Sequence, residues 1–231
     1  MVETEQRVRA LIEGDDNAKM AALRALRNPT TFTASPYTLG VYIANAGGIA
    51  PLVELLRDGR AEAKARAAEA LYSVAIDNGN QVRIAEAGGI PPLLELLRDG
   101  SAEVKWWAAH AVRVLARNDG NKILISQAGG LAPLVQLVRD GRTQAKQAAL
   151  ALRTLATNND ANAIAIAVTV GLEALVQLAR RGCMCVEIQP LVYNASVPAK
   201  RKAALVVAAL IGDCVPESVP RVIKAVIGSY L

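Results

Sequence analysis

The sequence predicts an all-α protein, a right-handed α-α superhelix built from three-helix repeats of about 41 residues. Three observations lead to this prediction: one segment recurs along the chain, its glycines keep a fixed spacing, and a helical apolar period follows each copy. The marker glycines lie 41 positions apart, at Gly48, Gly89, Gly130 and Gly171. A single unit of this kind cannot bury its own apolar face, so successive units are expected to stack.

The recurring segment runs from Ala46 to Gly59, from Ala87 to Gly100 and from Ala128 to Gly141. Each of these copies begins with Ala-Gly-Gly, continues through a proline and a leucine-rich run, and ends with Arg-Asp-Gly. A fourth copy, from Val170 to Gly182, keeps only part of the pattern. The regular repeats are therefore predicted over residues 46–182.

Three helices are predicted in each unit. The first is short and ends at the glycine pair, as in the segment from Gln81 to Ala87, because glycine readily takes the left-handed conformation that closes a helix. The second has a proline in its first turn and stops at Asp-Gly; these prolines are Pro51, Pro92 and Pro133. The third and longest carries apolar residues three and four positions apart, such as Ala67, Ala68, Leu71, Val74 and Ala75.

Both ends of the chain depart from this pattern, and we predict a single domain over residues 1–231. Residues 1–45 are interpreted as a partial repeat with a third helix at Lys19–Asn28, a long loop at Pro29–Pro36, and the first helix of the next repeat. Residues 183–231 are interpreted as an insertion up to Pro198, a degenerate repeat with a helix at Ala199–Ile211, and a capping helix at Val219–Gly228.

Composition excludes several classes of protein. The chain has 231 residues, 52% hydrophobic and 20% charged, which is typical of a folded domain. Its three cysteines, Cys183, Cys185 and Cys214, do not form a disulfide framework, so we expect a reducing compartment, the cytoplasm or the nucleus. The polar start Met1–Arg7 does not fit a signal peptide, and no apolar run of about 18 residues predicts a membrane span. The net charge of +5 is spread along the chain.

The segment Ala-Gly-Gly-Ile-Pro-Pro-Leu-Leu-Glu-Leu-Leu, followed by a long Ala-rich helix, resembles the armadillo repeat pattern. The resemblance covers residues 46–182 strongly and the two ends weakly. It implies a protein-interaction module whose third helices line a concave groove, as in importin-α and β-catenin. In such proteins an Asn on each third helix holds the main chain of an extended partner segment.

The family Asn lies in the pattern Ala-Leu-x-Asn-Leu-Ala. The matching slots of this chain hold Asn28, Ser73, Val114, Thr154 and, at the degenerate end, Val207. Only Asn28 keeps the amide, so most of the Asn ladder is missing and peptide binding in the importin manner is disfavoured. One helical turn earlier, where importin-like repeats carry Trp, the residues are Arg24, Glu69, His110, Leu150 and Ala203.

Trp107 is the leading candidate for a contact residue. Its spacing places it on one helical face with His110 and Val114. At its slot the sister repeats carry two polar residues, Arg66 and Gln147. An aromatic residue at a position that is otherwise polar indicates an exposed anchor for a partner. Alternatively the ring fills a gap between repeats, and this packing role is the one we favour for Trp106.

The position just before the Asn slot is basic in three of four units: it holds Arg27, Tyr72, Arg113 and Arg153. With Arg24 and Arg117 these arginines would form a basic strip along the groove. Such a strip would attract an acidic or phosphorylated segment, because a guanidinium binds carboxylates and phosphates in a bidentate manner. The alternative is an ordinary solvated helix face.

No catalytic or metal-binding arrangement is predicted. His110 is the single histidine, so we expect it to contact a partner or to satisfy a polar neighbour. Cys183 and Cys185 lack a second pair of metal ligands, and the glycines close helices instead of forming a phosphate-binding loop. We therefore expect a protein that is not an enzyme and has no cofactor and no metal.

The predicted function is the binding of an extended or helical, acidic segment of a partner protein in the groove of a monomer. The candidate contact residues are Arg24, Arg27, Asn28, Glu69, Tyr72, Ser73, Trp107, His110, Arg113, Val114, Arg117, Arg153 and Thr154. Two alternatives stay open. The repeats are a structural spacer of a larger protein, with partners docking on the convex side or on the insertion at 183–198, or, less favoured, a basic groove that binds nucleic acid.

Overall fold

A computed structural model describes residues 2–27 and 35–166 of the chain. All regular secondary structure in these residues is helical, which confirms the predicted all-α class. The helices are α1 (Val2–Glu13), α2 (Asp16–Arg27), α3 (Pro36–Asn45), α4 (Ile49–Asp58), α5 (Ala61–Ala75), α6 (Asn78–Glu86), α7 (Ile90–Asp99), α8 (Ala102–Leu115), α9 (Asp119–Gln127), α10 (Leu131–Asp140) and α11 (Ala145–Ala156). A further helix starts at residue 160 and is described up to residue 166.

Several predicted features lie outside the described residues. They are Asn28, the loop up to residue 34, residues 167–182 of the fourth copy, the insertion at 183–198, the three cysteines, Val207 and the C-terminal helices. Just after this loop, α3 begins at Pro36 and is capped by Ser35, whose hydroxyl accepts a hydrogen bond from the Thr38 N–H at 3.3 Å.

The chain divides into two compact units, Met1–Ala128 and Gly129–Leu231. In the first unit, α1 pairs with α2, and two complete three-helix repeats follow, α3 to α5 and α6 to α8. The second helix of each repeat packs against the third, and the third helices α2, α5 and α8 contact one another in sequence. In the second unit, α10 packs against α11.

The glycine pairs set the boundary between first and second helices. Gly47, Gly88 and Gly129 have φ values of 86°, 74° and 74°, the left-handed conformation that the sequence predicts for a helix end. The second helices start directly after the following glycine, and each ends at the aspartate of an Asp-Gly pair. The predicted helix order within each repeat is therefore confirmed for the described copies.

The core combines large residues of the second helices with small residues of the third. Leu52 and Leu56 of α4 are at most 1% exposed, and Ala67 and Ala68 of α5 are fully buried. The alanines allow neighbouring helices to approach closely, while each buried leucine contributes about 1.5–3 kcal/mol to the free energy of unfolding. Because α7 and α8 repeat this arrangement, the first unit has a continuous core.

A buried asparagine that the sequence analysis did not single out lies near the start of α6, of α9 and of the helix that begins at residue 160, whereas α3 has Leu39 at the equivalent position. Asn80, Asn121 and Asn162 recur at the repeat period and are 5%, 3% and 3% exposed. Asn121 Nδ2 donates to the carbonyl oxygens of Gln81, in the preceding repeat, at 2.9 Å and of Leu115 at 3.2 Å. Asn80 and Asn162 donate in the same way to carbonyls at the end of the preceding third helix. This buried asparagine ladder ties each of these three first helices to the third helix before it.

The N-terminus forms a helix that the sequence analysis missed. Its residues were seen as a polar segment, but Val8 and Leu11 of α1 are fully buried and Leu23 of α2 is 5% exposed. The two apolar residues, three positions apart, share one face of a short helix, so only packing on α2 reveals them.

Within the described residues, no single helix is long and apolar enough to cross a membrane. Tyr37–Asn45 and Ile49–Asp58 reach the required length and apolar character only when taken together, and they are bent by 97° at the break between them.

Candidate functional site

Four ring side chains meet where α5 and α8 lie side by side, and we call Tyr72, Trp106, Trp107 and His110 the aromatic cluster. Tyr72 stacks on His110 with ring centroids 4.5 Å apart and planes inclined by 8°. The Trp106 ring meets His110 edge-on at 4.6 Å and Trp107 edge-on at 4.5 Å. Trp107 lies 6.0 Å from Tyr72. Rings from two successive repeats thus lie against one another and form one surface.

Local helix geometry explains this arrangement. Trp106 and Trp107 precede His110 by four and three residues on α8, so all three rings project from neighbouring positions of one helix surface. Tyr72 comes from the adjacent third helix. All four side chains are half-buried, so Trp107 both packs against its neighbours and keeps part of its surface accessible. Trp106, which the sequence assigns to packing, belongs to the same surface.

His110 carries no charge at neutral pH. Burial and, to a smaller extent, the positive charge of Arg113 together lower its pKa to about 4. Its Nδ1 atom is buried without a hydrogen-bond partner. The aromatic cluster is therefore a neutral surface, with an imidazole that acts as a flat ring and not as a cation.

Two arginines of the first unit are paired with carboxylates of the chain itself. Arg66 Nη1 contacts Glu69 at 3.1 Å and Glu103 at 3.8 Å. Arg24, a member of the predicted basic strip, donates to both carboxylate oxygens of Glu62, at 2.9 and 2.6 Å. This hydrogen bond holds the pKa of Glu62 below its usual value. Part of the predicted positive charge is thus neutralised within the chain.

The Asn slots of the third helices offer little to a partner main chain. The Ser73 hydroxyl donates to the Glu69 carbonyl at 3.3 Å, and the Thr154 hydroxyl donates to the Leu150 carbonyl at 2.9 Å, each one turn back along its own helix. Both hydroxyl oxygens can then only accept a further hydrogen bond. Neither replaces the amide of the family Asn, which supplies both a donor and an acceptor.

The prediction that Val114 contacts a partner is wrong. Its side chain is 1% exposed, because almost the whole last turn of α8 is enclosed in the core of the first unit. The buried residues of this turn are Ala111, Val112, Val114 and Leu115. The helical spacing that aligns Val114 with Trp107 is correct, but the neighbouring helices cover that face before it reaches Val114.

The other predicted contact residues are distributed over several helices. Arg113 is half-buried in the last turn of α8, and Arg117 is exposed just beyond it. Arg27 is the last residue of α2. Arg153 and Thr154 are half-buried on α11 and belong to the second unit.

Among the described residues, no group of three or more His, Cys, Asp or Glu side chains is arranged to hold a metal ion.

Comparison with known proteins shows which solved structures this chain resembles. The sequence matches no protein-family model, and no curated protein matches it. Among solved structures, a computationally designed armadillo repeat protein for modular peptide recognition aligns with 98% of this chain and 99% of its own, at 25% identity and a TM-score of 0.75. A second designed armadillo repeat protein covers 98% and 99% at 25% identity and a TM-score of 0.73. A third, solved in complex with the peptide (KR)4, covers 99% and 100% at 24% identity and a TM-score of 0.72.

Proposed function

Because the chain has the armadillo repeat fold, we propose that it is a non-enzymatic module that binds a segment of a partner protein. The binding surface is the third-helix face, which we define as the aromatic cluster with the half-buried residues of α5 and α8 around it. Peptide binding by designed proteins of this fold supports the general class of function. The residues of this face indicate the chemical character of the partner.

The aromatic cluster is the observation that carries this proposal. Four adjacent rings, each only half-buried, present apolar area that gains free energy when a partner removes it from water. Residues that dominate the binding energy of interfaces are enriched in Trp and Tyr and lie together at the centre of the contact. Trp107 is therefore assigned as the main anchor, with Trp106, Tyr72 and His110 beside it.

Acidic groups of the partner are assigned to arginines near the cluster. Arg113 follows His110 by one turn, and Arg117 is exposed beyond the end of α8. Because Arg24 and Arg66 are held by carboxylates of the chain itself, we assign the attraction for acidic residues chiefly to the exposed Arg117 at the end of α8 and not to a strip along the third helices. We accordingly propose a partner segment with an apolar anchor followed by acidic residues.

Binding is tested with the purified chain on beads in a cell lysate, using Trp107→Ala and the matched control Ile123→Ala. Ile123 is 51% exposed on α9, so its truncation removes a similar exposed apolar group away from the third-helix face. We expect proteins retained by the chain to be retained by Ile123→Ala and lost with Trp107→Ala, by about thirtyfold for a residue worth roughly 2 kcal/mol.

The same assay separates the competing functions. Arg113→Glu is expected to weaken retention of an acidic partner, and moderate salt to weaken it only modestly, because an apolar contact is insensitive to screening. Retention that disappears after nuclease treatment would indicate nucleic acid instead. If nothing is retained at any salt concentration, the role of structural spacer replaces that of a binding module.

A further inference from the structure

We propose that the partner segment on the third-helix face is bound as an amphipathic α-helix and not as an extended strand. This inference rests on the proposed function and specifies its occupant. It follows from three properties of the face: the hydrogen-bonding groups at its slots, the spacing of its rings and the pairing of its charges.

The slots of α5 and α8 cannot satisfy the main chain of an extended segment. An extended segment loses water from its N–H and C=O groups on binding, and each group then needs a partner. Ser73 already donates its hydroxyl proton to the Glu69 carbonyl, and the next slot holds the buried and apolar Val114. Neither slot provides a donor for a C=O group, so a strand would leave carbonyls unpaired at the repeat spacing.

A helix avoids this cost because its backbone groups are bonded to one another. It needs from the receptor only a surface that accepts side chains at i, i+3, i+4 and i+7, whose Cβ atoms are roughly 5–6 Å apart. The rings of the aromatic cluster have centroids 4.5 to 6.1 Å apart and come from two adjacent helices. Ring spacing on the receptor therefore matches side-chain spacing on a helix.

The charges at the edge of the cluster fit the same occupant. Arg66 is bound between Glu69 and Glu103, so this edge presents both signs of charge, with one negative charge in excess among these three residues. The flanks of an amphipathic helix commonly carry both signs as well, and pairs across the rim then add specificity more than affinity. The occupant is accordingly a helix with an apolar stripe, mixed charges on one flank and acidic residues toward Arg113.

Two display libraries of matched composition test the inference. Both use peptides of about 16 residues, or roughly four helical turns. In the first, an Ala, Glu and Lys framework favours helix and the residues at i, i+3, i+4 and i+7 are randomised. In the second, prolines between randomised alternate positions prevent helix formation. Each library is selected against the full chain, and winners are measured against the chain, Trp107→Ala and Ile123→Ala.

We expect the helical library to yield binders at least tenfold tighter than the best extended ones, sensitive to Trp107→Ala and indifferent to Ile123→Ala. Extended binders that are equally tight and depend on Trp107 would overturn the inference and leave the proposed function standing. If neither library yields binders that depend on Trp107, both fail. A dimer of the chain alone that Trp107→Ala dissociates, measured by sedimentation, would show that a second copy occupies the face and would also overturn the inference.

A gain of function provides an independent check. Ser73→Asn restores the amide of the family Asn at a half-buried position of α5 and adds both a donor and an acceptor at the slot. We expect this variant to raise the affinity of extended peptides severalfold relative to that of helical peptides. The matched control is Ser73→Ala, which removes the hydroxyl without adding an amide. Tighter binding of helical peptides to Ser73→Asn would contradict the inference.

Discussion

Residues at the start of the first helices recur from repeat to repeat, whereas residues on the face of the third helices do not. At the start of the first helices, three successive repeats keep the same residue and the same bond: Asn80, Asn121 and Asn162 all donate to a carbonyl at the end of the preceding third helix, and only the earlier helix α3, among those described, has another residue there, Leu39. On the face of the third helices, equivalent positions change from repeat to repeat. One such set is Arg66, Trp107 and Gln147, and another is Glu69, His110 and Leu150. The periodic residues hold the repeats together, and the aperiodic ones distinguish one repeat from another.

Physical chemistry explains the contrast. A buried carbonyl needs a donor in one geometry, and an unsatisfied buried polar group costs about 1–3 kcal/mol, which explains why the asparagine is kept from α6 to α9 and to the helix that begins at residue 160. A half-buried side chain on the third-helix face can exchange its partners for water, so its identity is free to vary. Where variation places four rings together, as at Tyr72 and the first turns of α8, binding is the function best supported.

The largest effect is expected from breaking the asparagine ladder. Asn121→Leu removes two hydrogen bonds and leaves the Gln81 and Leu115 carbonyls buried without this donor. We expect the free energy of unfolding to fall by about 2–3 kcal/mol, measured by urea denaturation followed by circular dichroism.

Gln127→Leu is the control, because it replaces an exposed amide on the same helix. It should leave the unfolding midpoint nearly unchanged. If Asn121→Leu and Gln127→Leu unfold at the same urea concentration, the ladder does not stabilise the repeats, and its periodicity needs another explanation.

A smaller loss is expected at the glycine that closes a first helix. Gly88 has a φ of 74°, and an alanine there is strained by about 1–2 kcal/mol. Gly79, within α6, is the matched control, since an added Cβ would meet only the Asp77 side chain at 3.2 Å and helix propensity would improve. Thermal melts should therefore rank Gly79→Ala at or above the parent chain and Gly88→Ala below it. If Gly88→Ala melted above Gly79→Ala, the repeat boundary would not depend on the left-handed conformation of glycine at this position.

The sequence predicted the periodic half of the molecule much better than the aperiodic half. Glycine, proline and helical spacing act locally, so helix order and the left-handed Gly88 followed from residues a few positions apart. The aromatic cluster required contacts between α5 and α8, and the burial of Val114 and the pairing of Arg24 depend on neighbouring helices in the same way. The asparagine ladder is an exception, because Asn80 and Asn121 lie one repeat period apart and the sequence alone therefore carries its signal.

On the aperiodic side, acid should destabilise the chain through His110. Its pKa is about 4 in the folded chain, against 6.5 for an ordinary histidine, because burial and the Arg113 charge oppose protonation. As the pH falls from 6.5 toward 4, the unfolded chain takes up a proton before the folded one does, so stability is lost across this window. His110→Phe keeps a ring in the cluster and should remove that part of the pH dependence of the urea midpoint. Identical pH profiles for both proteins would show that His110 does not titrate in this way.

The smallest effect is expected from the ion pair at the other edge of the first unit. Arg24 and Glu62 make a short bidentate contact, but their side chains are 60% and 48% exposed, so water and salt screen the attraction and ordering two long side chains offsets it. We expect Arg24→Ala to leave the unfolding midpoint within experimental error at physiological salt, and to leave binding that depends on Trp107 intact. A measurable loss of binding in Arg24→Ala, with stability unchanged, would extend the functional face from α8 back to α2. It would also mean that a partner displaces Glu62, because the guanidinium of the free chain is already occupied.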